Sequence, residues 1–501
     1  MVKNNSEDVS LLIAAEDFED EQFLKYHSFT LYDENIIKKL IAHGPVLIRG
    51  GRGSGKSALL RAANLRVKKD YAQNILGFYI SLRYLPLLKT KGDEYEKYFC
   101  DILIKNILSE MSDDFTEEIF DCDRNISETK NALRKLSTRL NKRIILFFDD
   151  AAHIGRESSL KTFFDIYRTL SSSTVACKAA IYPGVTEFGP RFDILNDAYV
   201  IDIARSEKDK YFIPFFKEIL INRYGDSVYK KANASKTITI DDFSGFLGRS
   251  VAGNVRAFLF ACNYIDNSIK EDAISINSID ATLKYLSQEH FWPLIEELKP
   301  KLGIYETIMD VLPEISEAIF KSVGSTQMRE SYGPSFIIHR SNIERLKKLF
   351  EILEYTGFVA KSDASRGLKS GGRGTKYNIN LSLLLEQVVP SRLTQELFKK
   401  WLGNDTESVE FGQSSILSKF KLPEPDDKEL GVLNQPIEVL KKSNAYPYGL
   451  TEAKIEKLRE GGFDTVEKIF NASEDDILNI DTLGQGWYLR IQNILGQAIW
   501  M

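Results

Sequence analysis

A strand-like run, Pro45-Val46-Leu47-Ile48-Arg49, leads straight into Gly50-Gly51-Arg52-Gly53-Ser54-Gly55-Lys56-Ser57, and a helical pattern continues to about Lys69. A buried strand that turns through four glycines directly into a helix admits few folds. It requires a parallel sheet whose strand ends open onto helix starts. The glycines let successive backbone N–H groups turn inward, and the following helix aims its positive end at the same point. That is a cradle for a polyphosphate. Its candidate contacts are Gly50, Gly51, Arg52, Gly53, Ser54, Gly55, Lys56, Ser57 and Ala58, with Lys56 on the outer phosphates and the Ser57 hydroxyl on magnesium. A chance glycine turn is the plain alternative, and the flanking strand and helix argue against it.

Four further β-type runs fit the same sheet: Ile75 to Leu82, Arg143 to Phe148, Lys178 to Tyr182, and Ala198 to Ile203. Helical patterns separate them. The run Ile144 to Phe148 is continuously apolar, as a strand covered on both faces requires. The expectation is an α/β fold, a five-stranded parallel sheet spanning 29–205, behind an N-terminal extension of 1–28. A helical lid over 206–299 follows. A unit with helices and two strand-like runs fills 300–400, a polar linker 401–432, and a small all-helical unit 433–501.

Bulk properties exclude several function classes. The 501 residues carry a net charge of −5, so any nucleic-acid contact needs a local basic patch. No apolar run approaches the roughly 20 residues that cross a bilayer, and the N-terminus lacks a signal-peptide pattern. Four scattered cysteines (Cys100, Cys122, Cys177, Cys262) without CxxC spacing predict reduced, buried thiols and a cytoplasmic chain, with no structural metal site.

Asp149-Asp150 closes the run Ile144 to Phe148. A carboxylate at that strand end, expected beside the strand of the glycine loop, suits magnesium held through water. This assigns Asp149 to the metal and Asp150 to the attacking water; a helix N-cap after a strand is the alternative. With both motifs present, Phe29 to about Leu286 resembles the AAA+ P-loop ATPases, nearest their origin-recognition and initiator-type branch. The resemblance implies ATP and Mg2+ as ligands, ATP hydrolysis and homo-oligomers. It further implies that Arg256, in Gly253-Asn254-Val255-Arg256, senses the γ-phosphate. It makes Arg191, in Gly189-Pro190-Arg191-Phe192, an arginine finger for a neighbouring subunit. The catalytic set is therefore Lys56, Asp150, Arg256 and Arg191. Two departures stand out. The strand Lys178 to Tyr182 runs into Pro183-Gly184 without the Asn, Thr or Ser of sensor 1, and Asp-Asp replaces Asp-Glu. Both also occur in STAND-type switch ATPases, so a signalling switch and a non-hydrolysing ATP-binding adaptor stay open as readings.

Ser341 to Leu385 resembles the second half of a winged helix. Ser341-Asn342 can cap a helix with Ile343, Leu346, Leu349, Phe350 and Leu353 on one face. A β-ribbon with a glycine-rich loop follows. Across Arg340 to Lys376 nine cations (Arg340, Arg345, Lys347, Lys348, Lys361, Arg366, Lys369, Arg373, Lys376) face four anions (Glu344, Glu351, Glu354, Asp363), an excess of five. Cationic wings suit DNA phosphates, and Arg345, Lys348, Arg366, Lys369, Arg373 and Lys376 are the candidate contacts. The C-terminal unit is similar to helix-hairpin-helix and SAM-like modules, on Leu458 to Thr465 and Ile480 to Gly486. Its acidic excess, with Asp481 and Thr482 at the second turn, points to a protein partner or to its own ATPase domain.

Overall fold

The computed structural model describes residues 15–82, 87, 90, 92–111, 113–152, 157–185, 188–203, 205–299, 302–403, 406–424, 431–442, 449–480 and 483–500. The five apolar runs become β1 (Val46–Arg49), β2 (Ile75–Ser81), β3 (Arg143–Ala152), β4 (Val175–Ile181) and β5 (Tyr199–Asp202). All pair in parallel, in the order β2-β3-β4-β1-β5. The continuous apolarity of β3 has a direct cause. Ile144, Leu146 and Phe148 pack under the helices Gly92–Glu110, Ile126–Leu140 and Glu157–Leu170. Ile145 and Phe147 face the opposite side, under helices α2 (Leu31–Ile41) and α3 (Lys56–Asp70), with α1 (Asp20–Tyr26) completing that layer. One expectation is corrected: β3 does not adjoin β1. Strand β4 lies between them, so Asp149 reaches toward the glycine loop across an intervening strand.

Beyond the sheet the chain is helical. Helix α4 (Phe212–Tyr224) and helix Ile240–Ser250 lead to α5 (Val255–Ser268), whose N-cap Asn254 accepts the Ala257 N–H at 3.1 Å. Helices Ile276–Leu286 and Trp292–Leu298 follow, joined by a π-helical turn over Ser287–Phe291.

A second sheet then forms, its strands in the spatial order Val359–Gly367, Arg373–Ile379, Tyr332–His339 and Glu407–Phe411. Helix Leu312–Gly324 precedes β6 (Tyr332–His339); next come α6 (Arg340–Thr356), β7 (Val359–Gly367) and β8 (Arg373–Ile379). Helix α6 breaks at Leu346 (φ −104°, ψ 17°), which divides it into two helical pieces. It ends at Gly357, whose φ of +80° is the left-handed C-cap that favours glycine. Strand β9 (Glu407–Phe411) pairs with β6 in parallel. The stretch read as a linker therefore begins inside this sheet. The boundary at 299/300 is likewise not a break in packing, because one apolar core runs from Phe212 in the lid to Leu417.

The C-terminal helices Glu452–Glu460, Val466–Asn471, Glu474–Leu478 and Gln485–Trp500 enclose their own core around Leu458, Ile469, Ile491 and Leu495. Asp481 and Thr482 lie outside the described residues. Val432 and Phe470 pack into the cluster that covers the parallel sheet, so this unit docks on the sheet domain. All four cysteines are free, three buried and Cys122 partly exposed. Among the described residues no helix is long and apolar enough to cross a membrane.

Candidate functional site

The glycine loop is fixed from outside and open toward one cleft. Gly53 has φ +78°, and a Cβ there would lie 2.3 Å from Asn254 Oδ1, so both its conformation and its neighbour demand glycine. Outside the loop, the Arg52 N–H donates to the Tyr355 carbonyl at 2.9 Å. Asn254 Nδ2 donates to the Arg52 carbonyl at 2.8 Å, and the Val255 N–H to Gly53 O at 3.0 Å. The start of α5 and the end of α6 thus hold the same loop residue from two sides.

Inside the loop, Lys56 Nζ donates to the carbonyls of Gly50 and Gly51 at 2.7 and 3.0 Å. It also lies 3.8 Å from the centre of the Tyr182 ring. Burial pulls its pKa down to about 7; Asp149 and Asp150 oppose that shift, and Arg256 adds to it. The charges of the two aspartates and the arginine therefore converge on this lysine. The cleft above it encloses about 1030 Å³, its open mouth included, and is lined by Gly55, Lys56, Ser57, Asp150, Tyr182 and Arg256.

The end of β3 presents the two carboxylates differently. Between Phe148 and Ala152 the strand slips out of register with β4, and Asp150 takes φ +53°, a conformation aspartate tolerates better than most residues. Asp150 lines the cleft. Asp149 is buried and accepts the Asp150 N–H at 3.0 Å and the Tyr79 hydroxyl. These two bonds fix the orientation of its carboxylate.

Arg256 and Ser57 both line the cleft. Arg191 does not line it. It is exposed on the segment before β5, where its carbonyl accepts the Arg168 guanidinium. Tyr182 occupies the place at the end of β4 where the resemblance led us to expect Asn, Thr or Ser.

Sequence reading missed part of the lining of the cleft. Tyr26, at the end of α1, and His27, Ser28 and Phe29, from the segment before α2, line it with Phe215 and Ile219 from α4 and Leu259 from α5. Three distant segments meet there with no shared spacing. Arg205, also in the lining, pairs with the fully buried Asp33 at 2.7 Å and stacks 3.5 Å over Phe215. Asp33 caps α2 as well, accepting the Thr30 N–H at 2.9 Å. Removing one partner of such a buried pair costs about 3–5 kcal/mol, so this contact fixes where α2 and α4 meet over the cleft.

The candidate DNA contacts divide into two groups. Arg345 donates to the carbonyls of Leu417 and Ser418, at 2.7 Å each. Lys348 donates to Gly184 O at 2.7 Å, pairs with Glu351 at 3.1 Å and stacks on Tyr305. Helical spacing turns both inward, onto the chain's own segments. On the ribbon, Arg366 is exposed. Lys369 pairs with Glu407 at 2.9 Å, Arg373 bonds Ser365 Oγ at 2.8 Å, and Lys376 is half-buried.

No protein-family model and no curated protein matches the sequence. Among solved structures the chain is similar to the ORC1 protein of Aeropyrum pernix in complex with DNA, at 13% identity and TM-score 0.33, covering 79% of this chain and 95% of that one. It is similar to CDC6P of Pyrobaculum aerophilum at 14% identity and TM-score 0.34, covering 77% of this chain and 99% of that one. AMPPCP-bound DnaA of Aquifex aeolicus is 16% identical with TM-score 0.30, covering 69% of this chain and 89% of that one.

Proposed function

We propose that the chain is an AAA+-like P-loop ATPase in which nucleotide at the Gly50–Ser57 loop controls a DNA-engaging winged helix. One observation carries this reading: a single cleft gathers the loop, Lys56, Ser57, Asp150 and Arg256. A triphosphate would take over the Lys56 ammonium from the Gly50 and Gly51 carbonyls. Arg256 would meet the terminal phosphate, and Asp150 would orient water. The oxygen-only donors Ser57 and Asp149 fit magnesium, which binds few protein ligands and keeps several waters. They would hold the ion, and it would supply charge neutralisation at the phosphates.

The helix–strand–broken helix–ribbon order of Leu312 to Ile379 supports reading that unit as a winged helix. With Arg345 and Lys348 turned inward, DNA contact falls to the ribbon residues Arg366, Lys369, Arg373 and Lys376. Control by nucleotide would run through the bond between Arg52 and Tyr355: a loop that rearranges around phosphate moves the end of α6, and β7 begins three residues later.

Phosphate release measured with and without duplex DNA tests the proposal. We expect slow ATP hydrolysis that changes with DNA, and at least a tenfold weaker ATP affinity in Lys56→Ala. Full ATP affinity in that variant would overturn the assignment. The docking of α6 on the loop also favours a second reading, a nucleotide-held switch of the STAND kind; ATP-dependent oligomers without DNA affinity would select it.

A further inference from the structure

We propose that His27 reads the base in this cleft, its Nε2 accepting a hydrogen bond from the 6-amino group of adenine and disfavouring 6-oxo purines. The inference rests on the reading of the cleft as a nucleotide site and names the base it takes. His27 lines the same cleft as the loop and Lys56, and so do the apolar side chains of Phe215, Ile219 and Leu259. A flat ring with apolar faces and a polar edge suits such walls, and selectivity then rests on the few polar groups at the edge.

The tautomer of His27 follows from its contacts. Nδ1 lies 3.1 Å from the Phe23 carbonyl, which can only accept, so Nδ1 carries the hydrogen and Nε2 the lone pair. The ring is held in orientation by stacking on Phe23, with centroids 4.1 Å apart, and by the edge of Phe18 at 5.0 Å. Nε2 has no hydrogen-bond partner among the described residues. Burial, then the neighbouring Arg223 and Arg61, pull the imidazole pKa down to about 3, so the ring stays a neutral acceptor through the working range of pH. A 6-amino group offers that acceptor a hydrogen. A 6-oxo group sets two lone pairs against each other and leaves both unpaired, a mismatch worth roughly 10- to 100-fold in affinity.

Binding of ATP, ITP and GTP to the full chain with magnesium, followed by competition against a fluorescent ATP analogue, tests the inference. ITP carries a 6-oxo group without the 2-amino group of guanine, so it isolates the position in question. The intact chain should favour ATP over ITP by about 10-fold or more. His27→Phe keeps a ring against Phe23 but removes the acceptor; it should bring ATP and ITP within about threefold, mainly by weakening ATP. Equal binding of ATP and ITP to the intact chain would overturn the inference, as would an unchanged ratio in His27→Phe. Should the intact chain bind none of the three, or Lys56→Ala bind all as tightly, the nucleotide reading itself fails, a result distinct from loss of base selectivity.

Discussion

If Lys56 holds phosphate as proposed, its burial links that binding to a proton. Its pKa of about 7 lies far below the ordinary lysine value, so at higher pH the unliganded site holds a largely neutral amine. Phosphate oxygens favour the ammonium, so above pH 7 nucleotide binding must draw a proton from solvent. Calorimetry in buffers of different ionisation enthalpy should show uptake approaching one proton per ATP at about pH 8 and little at about pH 6. Affinity should fall by up to about tenfold per pH unit above 7. Zero uptake at the higher pH would contradict the link. At this scale the sequence was legible wherever chemistry is contiguous: the loop, Asp149-Asp150 and Arg256 each announce themselves in a short run. His27, Phe215 and Leu259 did not. Each has ordinary core chemistry, and the fold alone brings them together.

The cations of helix α6 and of the ribbon that follows it sit in different surroundings, although they look alike in sequence. Changing Arg366, Lys369 and Arg373 together to Ala should weaken duplex binding and flatten its salt dependence by about one unit of slope per lost phosphate contact. Lys348→Ala should leave that slope unchanged. It should instead lower the thermal midpoint, because it removes the bond to Gly184 and the stacking on Tyr305. A salt slope that falls in Lys348→Ala would return α6 to the DNA interface. Strand legibility followed environment. In the parallel sheet the core of β3 reads as a continuous apolar run, Ile144 to Phe148, whereas β4 carries Lys178 and β5 ends on Asp202. Strand β6 hides behind Gly333-Pro334, residues that usually mark a turn or an edge, and β9 carries Glu407 and Glu410 as exposed edges do.

Over the whole molecule, contacts between units matter more than the units themselves. The C-terminal helices own a separate core, yet Val432 and Phe470 anchor them on the helices covering the parallel sheet. Phe470→Ala should cost up to about 3 kcal/mol of that docking. Limited proteolysis should then release a folded C-terminal fragment sooner than from the unchanged chain, and an unchanged digestion pattern would argue against this anchor. The other junction behaves oppositely. Lid and ribbon unit are built around one uninterrupted interior, from Phe212 to Leu417, so neither can turn without the other. A tilt of α5 over the loop is therefore also a sweep of the ribbon, and the arc grows with distance from the pivot. Small chemistry at the phosphates would be read out as a long stroke at the cationic tip.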